Sequence, residues 1–169
     1  MTDGARFTII RTMATAKDGI EVGKVRREDA SWKIAFRAFY ADCPRPDRTE
    51  LDHAYFAARA GKKLAGHSEI YFDHGRWVLD GLRVAPEFRE RGVAKRLTAA
   101  RILYAAGRGA KEVWYACDDG NLVTICCHLR FGFKKVCPAG HSCNAATAHW
   151  YRLKVTKKLL KGLDSLVPA

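Results

Sequence analysis

The sequence predicts an α/β (α+β) fold, with one mixed, mostly antiparallel sheet of six to seven strands and helices on both faces. Three observations carry this. The runs YFAARA, KLAGHSEIYF and RWVLDGLRV, between residues 55 and 84, are separated by Gly61 and by Asp73-His74-Gly75, the pattern of an antiparallel meander. Apolar residues recur at helical spacing before the meander and again after residue 89. Strands and helices then mix in order, and 169 residues suffice for one core without staples.

In chain order, residues 1–18 show little pattern and read as a tail or an edge strand, followed by a domain over 19–156. IEVGKVR, 20–26, alternates as a strand does. Asp29 is the expected cap of ASWKIAFRAFYADC, whose stripe Ile34, Ala35, Ala38 and Phe39 would face the core until Pro44 and Pro46 end the helix. A short helical piece is expected at Thr49 to His53. After the meander, residues 89–106 read as a helix with the stripe Val93, Leu97, Ala100 and Tyr104, stopped by Gly107 and Gly109. EVWYAC is a compact strand, Asn121 to Phe131 a helix closed by Gly132, and 133–137 and 148–155 two last strands. Residues 157–169 are expected to be a basic tail. The run Arg152 to Lys161 holds five basic side chains and no acidic one, which reads either as a polyanion contact or as a solvated face.

The formal net charge of +12 favours anionic ligands and disfavours polycationic ones. No apolar run reaches the roughly 18 residues of a membrane helix, and MTDGARFTIIRTMATAKDG lacks the layout of a secretion signal, so a cytoplasmic address and no membrane partner are expected. The six cysteines form no regular framework and read as reduced thiols, and a homodimer is the default assembly.

The stretch VAPEFRERGVAKRL, 84–97, carries the chemistry. Pro86 lets the chain leave a strand, and Arg89-Glu90-Arg91-Gly92-Val93-Ala94 makes a loop and first helical turn. Gly92 and Ala94 leave no bulk above backbone N–H groups, and Arg89, Arg91, Lys95 and Arg96 add positive charge, which suits a phosphate or pyrophosphate; a plain helix cap is the other reading.

Val84, Pro86, Arg89, Gly92 and Ala94, read as V-x-P-x-x-R-x-x-G-x-A, resemble the acetyl-coenzyme A signature of the GCN5-related N-acetyltransferases. VRREDASWKIAFRAFY resembles that family's opening strand and first helix, and Asn121 followed by HLRFGF at 128–133 resembles its late helix ending in Gly-Phe. The resemblance covers about residues 20 to 155 and implies an acetyltransferase fold with acetyl-CoA as co-substrate. It places the pyrophosphate on the backbone of Arg89 to Lys95 (Arg89, Glu90, Arg91, Gly92, Val93, Ala94 and Lys95) and the pantetheine arm along Leu82, Arg83 and Val84, with an N–H near Val84 polarising the thioester carbonyl. It also implies that Asn121 contacts the arm and that the residue seven positions on, commonly a tyrosine, protonates the departing thiolate. Here that residue is His128. Asn121, Thr124 and His128 share a helix face, with Leu122, Ile125 and Leu129 expected to face the core. An imidazole, with an ordinary pKa of about 6.5 against about 10 for a phenol, serves as an acid only when its cation is favoured, although its neutral form still has one N–H to donate.

An attacking amine must lose a proton. Glu69 is the first candidate base and Asp80 the second, with His67, Asp118 and Asp119 also in view. Counting by twos from Val84 puts Leu82, Asp80 and Val78 on one face unless a bulge intervenes. Cys126, Cys127, Cys137, His141, Cys143 and His149 include no C-x-x-C pair, so buried thiols rather than a metal are expected. The first functional reading is an acetyl-CoA-dependent N-acetyltransferase acting by direct attack on a small-molecule or protein amine. A silent acyl-CoA sensor is the alternative, and so is a basic polyanion or RNA module, weakened by the scatter of Trp32, Trp77, Trp114 and Trp150 and by the lack of an RNA-binding motif.

Overall fold

A computed structural model describes residues 19–26, 30–41, 52–139 and 147–167. Its elements are β1 (Ile20–Lys24), α1 (Ala30–Phe39), β2 (Asp52–Ala60), β3 (Lys63–Asp73), β4 (Arg76–Val84), α2 (Val93–Ala106), β5 (Glu112–Asp118), α3 (Leu122–Leu129), β6 (Lys134–Pro138), β7 (Ala148–Lys154) and α4 (Lys157–Asp164). The strands form one seven-stranded sheet in the order β1-β2-β3-β4-β5-β7-β6. Every neighbouring pair is antiparallel except β4 with β5. The β3–β4 hairpin turns on His74 and Gly75, at φ 46 and 76, which matches the left-handed pair that a two-residue hairpin needs.

The core lies between the sheet and α2. A Cβ on Gly66 would stand 2.9 Å from Val93 Cγ1 and 3.1 Å from Leu97 Cδ1, so β3 and α2 meet where β3 has no side chain. Val93, Leu97 and Ile102 bury against Phe56, Ile70, Leu79, Val113 and Leu153. Each such side chain contributes about 1.5–3 kcal/mol relative to an exposed one. The expected α2 stripe holds, with Tyr104 edge-on to Phe56 and Trp77. α1 covers the opposite face, where Phe36 and Tyr40 contact the His67 ring.

Several expectations need correction. In α1 the inward side chains are Phe36 and Tyr40, while Ile34 is 74% exposed and Ala38 is exposed; the rings reach His67 across a gap that smaller residues would not fill. Ala35's side chain, Asp29, Pro44 and Pro46 lie outside the described residues, as do 49–51 of the expected short helix, whose Asp52 and His53 instead open β2. α2 starts at Val93 rather than residue 89, because Pro86–Phe88 makes a single 3-10 turn and Glu90 and Gly92 have φ 62 and 73. The segment read as a tail forms α4. Thr156 caps it by accepting the Leu159 N–H at 3.2 Å, Leu163 is buried, and Leu159 and Leu160 are half-buried against the core while Lys157, Lys158 and Lys161 point out. Its leucine spacing was legible, but the charge run masked it.

Candidate active site

β4 and β5 pair only at Trp77↔Val113 and Val78↔Trp114. From there Leu79 to Val84 and Tyr115 to Asp118 have no ladder between them, although β4 stays paired to β3 and β5 to β7. Two parallel strands held at one end and without a ladder at the other leave a wedge between them. A chain of suitable shape can dock there as an added strand.

The far end of β4 is fixed by the Ala85 N–H donating to Ala65 O at 2.9 Å. The loop that follows supplies the start of α2. Gly92 is the N-cap and supplies no side chain to cap the first-turn N–H groups of α2. Space is not the reason for this glycine, since a Cβ there meets nothing within 4 Å; its φ of 73 is. Glu90, at φ 62, holds the same left-handed conformation without that freedom. Arg89, Arg91 and Lys95 are exposed around this point. Arg89 Nε donates to Val84 O at 3.4 Å and Arg91 stands over the Phe88 ring. Arg96, expected in the same group, turns away to donate to Ile20 O at 2.9 Å.

Within β4 the register jumps between His67↔Arg83 and Glu69↔Asp80, so β4 carries one more residue than β3. Gly81, at φ 56, takes up the bulge. The count by twos therefore fails as the bulge condition foresaw. Arg83, not Leu82, continues the face of Asp80, standing over Phe39 and Tyr40 at 5.5 and 5.4 Å, while Leu82 packs toward the core. The bulge is held on the α1 side by the Tyr40 hydroxyl, which donates to Gly81 O at 3.2 Å and so accepts from His67 Nδ1 at 2.9 Å.

The two candidate bases, Glu69 and Asp80, are cross-strand partners beside this bulge. Glu69 is 2% exposed and its Oε2 lies 2.9 Å from His53 Nε2, itself buried. Sequence reading passed over His53 because it lay in a segment expected to be helical; its strand position opposite Tyr71 supplies the alternation that would have revealed it. Asp80 is half-buried and accepts the Gly81 N–H at 2.7 Å. Asp118 and Asp119 are engaged elsewhere, Asp118 with Thr147 and the Gly120 N–H, Asp119 with Lys135 and His149. These bonds hold both carboxyls below the usual range, first through Thr147 and Lys135 respectively.

α3 is rotated from the expected setting. Leu122 and Leu129 are 65% and 48% exposed, Ile125 is half-buried, and the face of Thr124 and His128 points inward. His128 is 2% exposed, stacked on Tyr115 at 4.2 Å and edge-on to Phe133, an aromatic slot that a leucine would not fill as well. Its Nδ1 lies 2.8 Å from Thr124 O. A carbonyl only accepts, so Nδ1 carries the proton and Nε2 is a bare lone pair. Burial, with the Arg101 charge second, pushes the imidazolium down to about 3, so the ring is neutral at neutral pH. The N–H that a neutral His128 was expected to offer the sulfur is thus already committed. Asn121 accepts the Thr124 N–H at 3.2 Å through Oδ1, which leaves its amide N–H groups outward.

The buried Tyr115 hydroxyl and His128 Nε2 have no hydrogen-bond partner among the described residues. Tyr115 is also the first β5 residue beyond the two-pair seam. An acceptor, a hydroxyl, a strand edge without a ladder and a helix start without a side-chain cap thus lie around the open end of the β4–β5 seam.

A family model described as "Acetyltransferase (GNAT) family" matches residues 25–133, well over half of the chain. The chain belongs to that acetyltransferase family. Solved structures share its fold. A Klebsiella pneumoniae protein given as an acyl-CoA N-acyltransferase is 15% identical at TM-score 0.67, covering 81% of this chain and 98% of its own. The PaiA N-acetyltransferase of Thermoplasma acidophilum, in complex with coenzyme A, is 18% identical at 0.60, covering 80% and 99%. An Elizabethkingia anophelis GNAT acetyltransferase with acetyl-CoA bound is 12% identical at 0.58, covering 82% and 100%. At such identities the likeness concerns the fold. No curated protein matches the chain by sequence.

Among the described residues no group of three His, Cys, Asp or Glu lies together as a metal ligand set; His141 and Cys143 are outside them. No helix among them is long and apolar enough to cross a membrane. Trp114 and Trp150, scattered in sequence, sit with ring centroids 6.3 Å apart, and Arg76 stands over both.

Proposed function

We propose that the protein transfers the acetyl group of acetyl-CoA to a primary amine within a ternary complex. The observation that carries this reading is the two-pair seam between β4 and β5, opening toward the uncapped start of α2. The pyrophosphate would rest on backbone N–H groups of Arg89 to Lys95, with Arg89 and Lys95 adding charge, and the pantetheine arm would lie along Leu82, Arg83 and Val84. Asn121's outward amide N–H would meet the same arm.

On the acceptor side, the amine nitrogen attacks the thioester carbon. Its proton passes to the Glu69–Asp80 pair, Glu69 being backed by His53, directly or through water. A β4 N–H near Val84 stabilises the oxyanion. The C–S bond then breaks and its electron pair stays on sulfur. His128 offers this sulfur an acceptor rather than an acid, so the thiolate takes its proton from water after departure. That tautomer also supports the second reading, a CoA-binding sensor without turnover. The +12 charge favours acceptors that are neutral or anionic apart from the amine.

The test mixes purified protein with acetyl-CoA and a panel of amino acids, phosphorylated amines and peptides, and follows free thiol alongside CoA binding by calorimetry. Amine-dependent thiol release supports transfer. CoA binding without release from any amine favours the sensor, and salt-sensitive RNA binding without CoA binding overturns both.

A further inference from the structure

Arg101 is fully buried, the largest side chain among the described residues to be so, and the proposed transfer leaves it without a task. It projects from α2 and spends its donors on oxygens alone. Nε donates to Leu97 O at 3.3 Å, Nη2 to Thr98 Oγ1 at 3.0 Å, and Nη1 to both Glu69 O at 3.2 Å and Asp80 O at 3.0 Å. The last two carbonyls belong to facing residues of β3 and β4, the last regular pair before the bulge at Gly81. Tyr40 grips Gly81 O from the other face of the sheet. The bulge is therefore clamped from both sides, by a neutral hydroxyl on one and a guanidinium on the other.

Packing alone does not explain a guanidinium here. A buried cation satisfied by carbonyls carries a desolvation cost that an apolar side chain of similar volume avoids, and an amide could serve the same carbonyls without charge. What a guanidinium adds is a planar fork that spans two strands and a fixed positive charge. Burial lowers Arg101 only to about 10, so it stays cationic at neutral pH. The titratable groups around it are Cys127 on α3, Asp80 and Glu69 on the sheet and Tyr40 on the far side, with His128 also within its field. These groups come from every side of the site: β3, β4, α1 and α3.

We infer that Arg101 is a positioning residue of the acyl-transfer site: its fork fixes the bulge that sets the course of Leu82 to Val84, and its charge favours the thiolate that leaves beside α3. The inference rests on the acetyl-transfer reading. It answers the difficulty raised by His128, since a leaving group without a nearby acid needs its negative charge stabilised instead. Arg101 touches neither substrate nor sulfur in this account and acts through the backbone and through its field.

The test uses the full chain with Arg101→Lys, Arg101→Met and the milder Thr98→Val, which removes the Nη2 anchor together with the Thr98–Cys127 hydrogen bond. Melting temperature, CoA affinity, turnover, and the ratio of CoA to desulfo-CoA affinity from pH 6 to 10 are measured. In the unaltered protein CoA should gain on desulfo-CoA as pH rises, by about tenfold for each unit by which the bound thiol is made more acidic. Arg101→Met should abolish that gain and lower kcat by roughly 30-fold or more with KM for acetyl-CoA changed less than about threefold, Arg101→Lys should recover part of both through its charge, and Thr98→Val should cost kcat about threefold. An unchanged CoA to desulfo-CoA profile in Arg101→Met, or losses that track melting temperature equally in all three variants, would overturn the proposal in favour of a purely structural arginine. Should Arg101→Met not fold, the Lys and Thr98→Val profiles decide in the same way. If no amine is acetylated, the transfer reading fails by itself while the affinity ratio still reports on Arg101.

Discussion

Two helices follow directly from strands that run side by side, and their starts are finished in opposite ways. α2 leaves β4 through a left-handed Gly92 with no side-chain cap, ringed by Arg89, Arg91 and Lys95. α3 leaves β5 through Asn121, whose side chain accepts the Thr124 N–H, and its first turn shows Leu122 and Val123 to solvent, 65% and 84% exposed. Both helix dipoles point their positive ends toward the wedge side of the sheet, yet only one keeps its N–H groups available. The inner faces differ in the other sense: α2 buries a cation, Arg101, and α3 buries a neutral imidazole that the cation helps keep neutral. In the proposed transfer reaction one helix end would hold an anion outside and one cation would face an anion inside.

The largest effect that would sharpen this contrast is acid sensitivity at His128. Its folded pKa, about 3, lies below its ordinary 6.5. Between these values the unfolded chain binds the proton and the folded chain does not, so stability falls as pH drops from 6.5 toward 3. The difference between the unaltered protein and His128→Leu should grow over that window to several kcal/mol at most, on the order of 1.4 kcal/mol per unit, in chemical denaturation at pH 7, 5 and 4. Asp118 and Asp119 add acid sensitivity of their own to both proteins, so the difference isolates the imidazole. Parallel curves for the two proteins would mean that His128 already binds its proton when folded.

Gly92→Val attacks the open helix start. A β-branched residue at φ 73 costs about 1–2 kcal/mol and shifts the loop, so CoA affinity by calorimetry should fall roughly 10–30-fold while the melting temperature drops by only a few degrees. Asn121 is the counterpart. Asn121→Ala should lower stability by about 1 kcal/mol through the lost cap, whereas Asn121→Asp keeps the acceptor and the melting temperature. Weaker CoA binding in Asn121→Asp would show that the outward amide contacts the ligand. The smallest effect is expected from Lys95→Ala, about a threefold loss of CoA affinity that fades at high salt, as an exposed charge should.

How much of this was legible differs from element to element. The β4 bounds and the β3–β4 turn were readable because alternation and turn chemistry act over a few residues. The glycine-led loop before α2 was readable for the same reason: a loop with small residues and arginines is a local device. The face of α3 was not. Leu122 and Leu129 look like core residues in any helical count, and only the slot between Tyr115 and Phe133 turns His128 inward in their place. Nor was the docking of α4, whose leucine spacing was legible but whose leucines meet the core only once the chain has folded.

By itself the sequence determined the β3–β4 hairpin, the strands and helices from β4 to β7 and the reserve of positive charge, all of which depend on short-range sterics and composition. The tertiary structure alone decided that β4 bulges at Gly81, that Glu69 and Asp80 stand face to face with His53 behind them, and that Arg101 reaches through the core to grip their carbonyls. Those features are contacts between residues far apart in the chain. Their energies arise from register, burial and charge in a low-dielectric interior, and none of these exists until the sheet and α2 have closed on each other.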